Sequence, residues 1–149
     1  MKKFFYILIF IALTNCGYQP IYIQKNITNI TIKSIELEGN KKINRRIISL
    51  IAPNLSKSDN QAYDLKLNSR QIINSVAKDS AGNTTIYKMT INVDLFLKGP
   101  NKKNKSKNFS LSFSYNSRTN KFNLLQYQKN IESNLINKIS QEIKIFLDS

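Results

Sequence analysis

The sequence predicts an α+β fold, a two-layer sandwich in which a four-stranded sheet carries two helices on one face in the order β-α-β-β-β-α. Three observations predict it. Apolar residues alternate with polar ones from Tyr87 to Leu97 and again from Phe109 to Tyr115, which is the period of a half-buried strand. Tyr127, Ile131, Leu135, Ile139, Ile143 and Leu147 recur every four residues, which is the stripe of an amphipathic helix. A shorter stripe of the same kind, Ile43, Ile47, Ile48 and Ile51, occurs earlier in the chain. Helices with a single apolar stripe need a surface to cover, and one face of the sheet supplies it.

Taken in order, the chain opens with Lys2 and Lys3, an apolar run over residues 4–13, then Thr14, Asn15, Cys16 and Gly17. Positive charge, apolar run and small polar patch are the three regions of a secretory signal peptide. The run is too short to span a bilayer, which takes roughly 20 apolar residues. A cysteine just after the apolar region, with Leu13 at the leucine position, resembles a bacterial lipobox. That resemblance implies cleavage before Cys16 and a covalent diacylglycerol and N-acyl chain on it. Otherwise Cys16 is an ordinary buried thiol at the end of an uncleaved anchor. The expected organisation is a signal peptide over residues 1–15, a lipidated linker over 16–28 and a single domain over 29–149.

The linker contains Pro20 and two tyrosines and reads as extended. Strand one covers residues 30–38 with one slip in its alternation, and Gly39 ends it. Asn40 is placed to cap a helix that turns Lys41, Lys42, Asn44, Arg45 and Ser49 largely to water and stops at Pro53. A polar loop over residues 56–61 precedes strand two, which starts at Tyr63 and runs toward Ala77. Residues 79–83, with Gly82 free to take positive φ, form the turn into strand three. Gly99 and Pro100 end that strand, and residues 101–107 form a lysine-bearing loop before strand four. This loop either attracts lipid phosphates or keeps a hairpin edge soluble. The terminal helix should run for roughly 20 residues or more, with Glu132 near its start and Lys138 and Lys144 toward its end, as the helix dipole favours.

The 149 residues carry a net charge of +14, and +12 without Lys2 and Lys3, which favours an anionic partner. Export argues against nucleic acid. The abundance of Asn, Ile and Lys is also what an AT-rich genome would produce, so part of the lysine excess can be codon drift. The single cysteine leaves no intramolecular disulfide, so packing must stabilise the domain. There is no histidine, which removes the commonest general base and the commonest metal ligand. The nine acids are scattered singly among lysines, with only Glu36 and Glu38 sharing a strand face, and the glycines are too far apart for a phosphate loop. The expectation is a protein that is not an enzyme and uses neither metal nor other cofactor. Lys78, Arg70, Arg118 and Lys121 are the candidate residues for binding an anionic ligand, expected to converge at one end of the sheet.

The stretch CGYQPIY from Cys16, the segment GNTTIYKMTINVDLFLKG over residues 82–99, and FSYNS followed by a terminal helix together resemble the LPS-assembly lipoproteins (LptE) over nearly the whole mature chain. The resemblance implies an outer-membrane lipoprotein on the periplasmic side that plugs the lumen of a β-barrel partner, LptD, and assists lipopolysaccharide insertion into the outer leaflet. Relatives carry a basic residue in the turn between strands two and three. Here that turn reads Ser80, Ala81, Gly82, with Lys78 the nearest cation; Lys121 is only a neighbour of a second basic position that relatives show before the last helix, which falls near Leu124. The alternative is a free periplasmic lipid-binding or transport-auxiliary lipoprotein, which would hold an apolar cavity between helices and sheet.

Overall fold

The computed structural model describes residues 30–57, 62–99 and 104–148. Cys16 and the segments expected to be a signal peptide (1–15) and a lipidated linker (16–28) lie outside these residues. Five strands and two α-helices follow in the order β1 (Ile30–Gly39), α1 (Lys41–Ile51), a short 3-10 turn (Ala52–Asn54), β2 (Leu55–Lys57), β3 (Tyr63–Lys78), β4 (Thr84–Lys98), β5 (Asn104–Asn116) and α2 (Lys121–Leu147). The α+β class and both helices are as expected, but the sheet has five strands, ordered β2-β1-β3-β4-β5.

The added strand is β2, which pairs in parallel with β1 from Ile30 opposite Leu55 to Ile32 opposite Lys57. Three residues hold too little alternation to announce a strand, and this one exists only because α1 returns the chain to the start of β1. It takes the first two residues of the segment expected to be a polar loop. β1 and β3 are also parallel, whereas β3, β4 and β5 form an antiparallel meander, so the curled sheet is mixed. The slip read in strand one is a bulge between Ile32 and Ser34. β5 begins earlier than expected and absorbs residues 104–107 of the supposed lysine loop. Lys105 and Lys107 oppose Leu97 and Leu95, and the Lys107 ammonium lies 5.1 Å from the Phe109 ring centre and 5.5 Å from that of Phe146. The Lys107 ammonium thus caps the aromatic edge of the core.

Both helices pack on one face of the sheet and against each other. Ile43, Ile47 and Ile51 of α1 meet Leu65 and Leu67 of β3, Met89, Ile91, Val93, Leu95 and Leu97 of β4, and Ile131, Leu135, Ile139 and Ile143 of α2, all buried. Each such side chain contributes about 1.5–3 kcal/mol before chain entropy is counted. Asn40 caps α1, its side-chain oxygen accepting from the amides of Lys42 (3.1 Å) and Ile43 (3.2 Å). Asn120 does the same for α2 with Phe122 (2.9 Å) and Asn123 (3.2 Å). Two expectations about the helices are corrected. Asn44 is fully buried rather than wet, because it faces the end of β1, where its Nδ2 donates to the Glu38 carbonyl at 2.6 Å. Glu132 lies in the middle of the 27-residue α2, where no helix-end charge acts on it. It serves instead as a cross-link, accepting from Lys42 of α1 at 2.9 Å.

The corner between β1 and α1 is anchored on β3. The Asn40 amide donates to the Ser69 carbonyl (2.9 Å), and the Ser69 hydroxyl donates back to the Asn40 carbonyl (3.2 Å). Pairing of β1 with β3 ends there, at Gly39 opposite Ser69. Beyond it, residues 70–78 of β3 continue with β4 alone, so the hairpin rises past the start of α1.

Candidate functional site

The hairpin end of the molecule is shaped by Asp79. Its Oδ1 accepts from the amides of Asn83 (2.8 Å) and Ala81 (3.0 Å), its Oδ2 accepts from Asn83 Nδ2 (3.2 Å), and its own amide donates to the Asn83 carbonyl (2.9 Å). Gly82 takes φ +84°, as its place in the turn requires. The hydrogen bonds from Asn83, backbone first and then side chain, hold the Asp79 carboxyl below its ordinary 3.8. A carboxylate with a lowered native pKa stabilises the turn above the unfolded value and loses that contribution as pH falls through the native one. Exchange of the Ala81 and Asn83 amides, corrected for its intrinsic pH dependence, is therefore expected to accelerate as pH drops below 3.8, and Asp79→Asn should abolish that dependence. Hydrogen-exchange NMR checks both.

Lys78 sits at the end of β3, paired with Thr84. The Ser117 amide donates to the Thr85 carbonyl (2.7 Å), which brings the link between β5 and α2 to the same end, and with it Arg118 and Lys121, the first residue of α2. These three expected cations share one end of the sheet. Arg70 does not join them. It pairs with Asn92, eight residues down the strand from Lys78, roughly 26 Å at strand rise.

Sequence reasoning missed what lies between these cations. Tyr87 and Tyr115 face each other across β4 and β5 with ring centres 5.7 Å apart, and Tyr127 of α2 meets Tyr115 edge-on at 5.9 Å. The Arg118 guanidinium lies 4.4 Å from the Tyr127 ring centre, and Gln128 Nε2 donates to the Tyr115 hydroxyl at 2.8 Å. Burial raises the Tyr115 pKa above its ordinary 10.0. The facing tyrosines were visible in the strand periods, but the register that pairs them was not. Around this aromatic column, Ile73, Val76, Phe113, Phe122 and Leu125 are all exposed, Phe122 to 74%. Cations and uncovered apolar side chains at one end suit an amphiphile with anionic headgroups and acyl chains.

The sheet face turned away from the helices is largely polar, with Ile72 and Phe96 the exposed apolar side chains on it. In register across β3, β4 and β5 it presents Asn68, Asp94 and Asn108, then Arg70, Asn92 and Ser110, then Ile72, Thr90 and Ser112, then Asn74, Lys88 and Ser114. Asn108 donates to Asp94 and Ser110 to Asn92, each at 2.6 Å. Glu36 and Glu38 do share a face, but Lys66 lies between them at 3.6 and 2.6 Å, an arrangement of exposed ion pairs. The hydrogen bond from Lys66 to Glu38 is the main cause of the raised lysine pKa. Among the described residues no cluster of three metal ligands occurs and no helix is long and apolar enough to cross a membrane.

A curled mixed sheet of five strands with two helices packed on one face and a projecting β3-β4 hairpin defines an α+β fold that solved structures share. Rare lipoprotein B from Shewanella oneidensis superposes with a TM-score of 0.63 at 12% identity, covering 78% of this chain and 94% of that one. Lipoprotein B from Nitrosomonas europaea gives 0.59 at 6% identity, covering 85% and 88%. A minor lipoprotein from Acinetobacter baumannii gives 0.57 at 16% identity, covering 77% and 87%. No protein-family model matches the sequence. No curated protein matches it either.

Proposed function

We propose that this chain is an outer-membrane lipoprotein, tethered on the periplasmic side through Cys16, that plugs and assists assembly of the LptD β-barrel and takes part in lipopolysaccharide insertion into the outer leaflet. The observation that carries this reading is the likeness of fold to lipoproteins B over about nine-tenths of their length, joined to the lipobox-like start. Two features of the surface support it. The polar outer sheet face suits the hydrophilic interior of a barrel, and the hairpin end combines Lys78, Arg118 and Lys121 with uncovered apolar groups that suit a phosphorylated lipid. One observation favours the alternative of a free lipid-binding lipoprotein, a cleft of about 430 Å³ between β5 and α2 whose lining includes Phe113, Tyr127, Ile131 and Leu135.

Affinity purification of the detergent-solubilised native lipoprotein is expected to recover a large outer-membrane barrel protein, and recovery without one overturns the plug reading. Each well-placed phosphate contact contributes about 1.5–3 kcal/mol. Lys78→Glu is therefore expected to weaken lipopolysaccharide capture about tenfold or more. Lys105→Glu, opposite Leu97 at the other end of the sheet, should change it by less than about threefold. Equal losses in a lipopolysaccharide pull-down would show a diffuse charge effect.

A further inference from the structure

Helices α1 and α2 run in the same sense, with Lys42 against Glu132 near one end and Leu50 beside Ser140 and Lys144 near the other. The groove between them, on the side away from the sheet, is basic. Its first half holds Lys42, Arg45 and Lys129 around Glu132, which is already paired with Lys42. Its second half is a cleft of about 310 Å³ lined by Arg46, Leu50, Asn137, Ser140, Gln141 and Lys144, two cations and no carboxylate. Ser140 is 2% exposed, and its hydroxyl finds no partner; the Asn137 Oδ1 is likewise buried and unpartnered. Buried polar groups are almost always satisfied, and an unmade hydrogen bond here is a standing cost that a ligand can remove.

We propose that this cleft is a phosphate-binding site. Arg46 and Lys144 supply charge-assisted donors, and the Ser140 hydroxyl donates to a phosphate oxygen. The Asn137 Oδ1 needs a donor, which hydrogen phosphate offers through its P–OH and a phosphate monoester through a neighbouring hydroxyl. Sulfate offers none. The site does not depend on the lipopolysaccharide reading, because the cleft starts sixteen residues along α2 from Lys121, about 24 Å at helical rise.

The test is amide NMR of the full chain in neutral maltoside micelles, titrated at constant ionic strength with inorganic phosphate, glycerol 3-phosphate or sulfate. Phosphate should give saturable shifts confined to residues 46–50 and 137–144, with sulfate binding at least about fivefold more weakly. Arg46→Gln, at an exposed position that folding tolerates, should raise the dissociation constant about tenfold, and Ser140→Ala about threefold or more. Lys105→Glu, outside both sites, should leave it unchanged. Tighter binding of glycerol 3-phosphate assigns the site to a headgroup phosphate, and equal or weaker binding assigns it to free phosphate. Absence of saturable shifts, sulfate equal to phosphate, or indifference to Arg46→Gln overturns the proposal.

Discussion

Gly39→Ala is expected to destabilise the domain by about 2–5 kcal/mol. Gly39 holds φ +76° at the corner between β1 and α1, a backbone conformation that side chains rarely adopt. A Cβ there would also overlap the Ser69 carbonyl oxygen, which is backbone and is fixed by the Asn40 amide. Neither group can move without breaking the contact that joins α1 to β3. Gly82→Ala provides the comparison, since φ there is +84° but nothing lies within 4 Å of the added carbon. It should lose only the backbone term, about 1–2 kcal/mol. Chemical denaturation followed by far-ultraviolet circular dichroism measures both, and equal losses would show that close packing at the corner contributes nothing.

Ile139→Ala should destabilise by a similar amount, about 2–5 kcal/mol, through the cavity left in the core. Ile139 is fully buried in the second half of α2, in the same core as the apolar residues of α1 and the sheet. Neighbours from several elements cannot all collapse into one void, so the loss should fall in the upper part of that range. Ile145, six residues on, is 71% exposed, and Ile145→Ala should stay within about 0.5 kcal/mol of the parent. The same denaturation experiment separates the pair, and an equal effect at Ile145 would show that burial in the core does not set the loss.

The elements were legible wherever side-chain period alone defines them. The stripe from Tyr127 to Leu147 announced α2, the alternation from Tyr87 to Leu97 announced β4, and Asn40 and Gly82 marked a cap and a turn by their own chemistry. What escaped depends on neighbours distant in sequence. β2 is a strand because β1 lies beside it, and Asn44 is buried because the Glu38 carbonyl needs a donor. The basic residues show the same division. Their identities could be read directly, whereas the separation of Arg70 from Lys78, Arg118 and Lys121 required the register of β3 on β4.

By itself, then, the sequence determined the α+β class, the presence and type of the two helices and main strands, and a surface rich in cations, because hydrophobic period and charge are local properties of the chain. Tertiary structure alone decided the fifth strand, the tyrosine column under Arg118 and the basic cleft that joins Arg46 to Ser140, residues 94 positions apart. The physical reason is that register and helix packing are set by burying one shared core, and no local pattern specifies which distant residues that burial brings together.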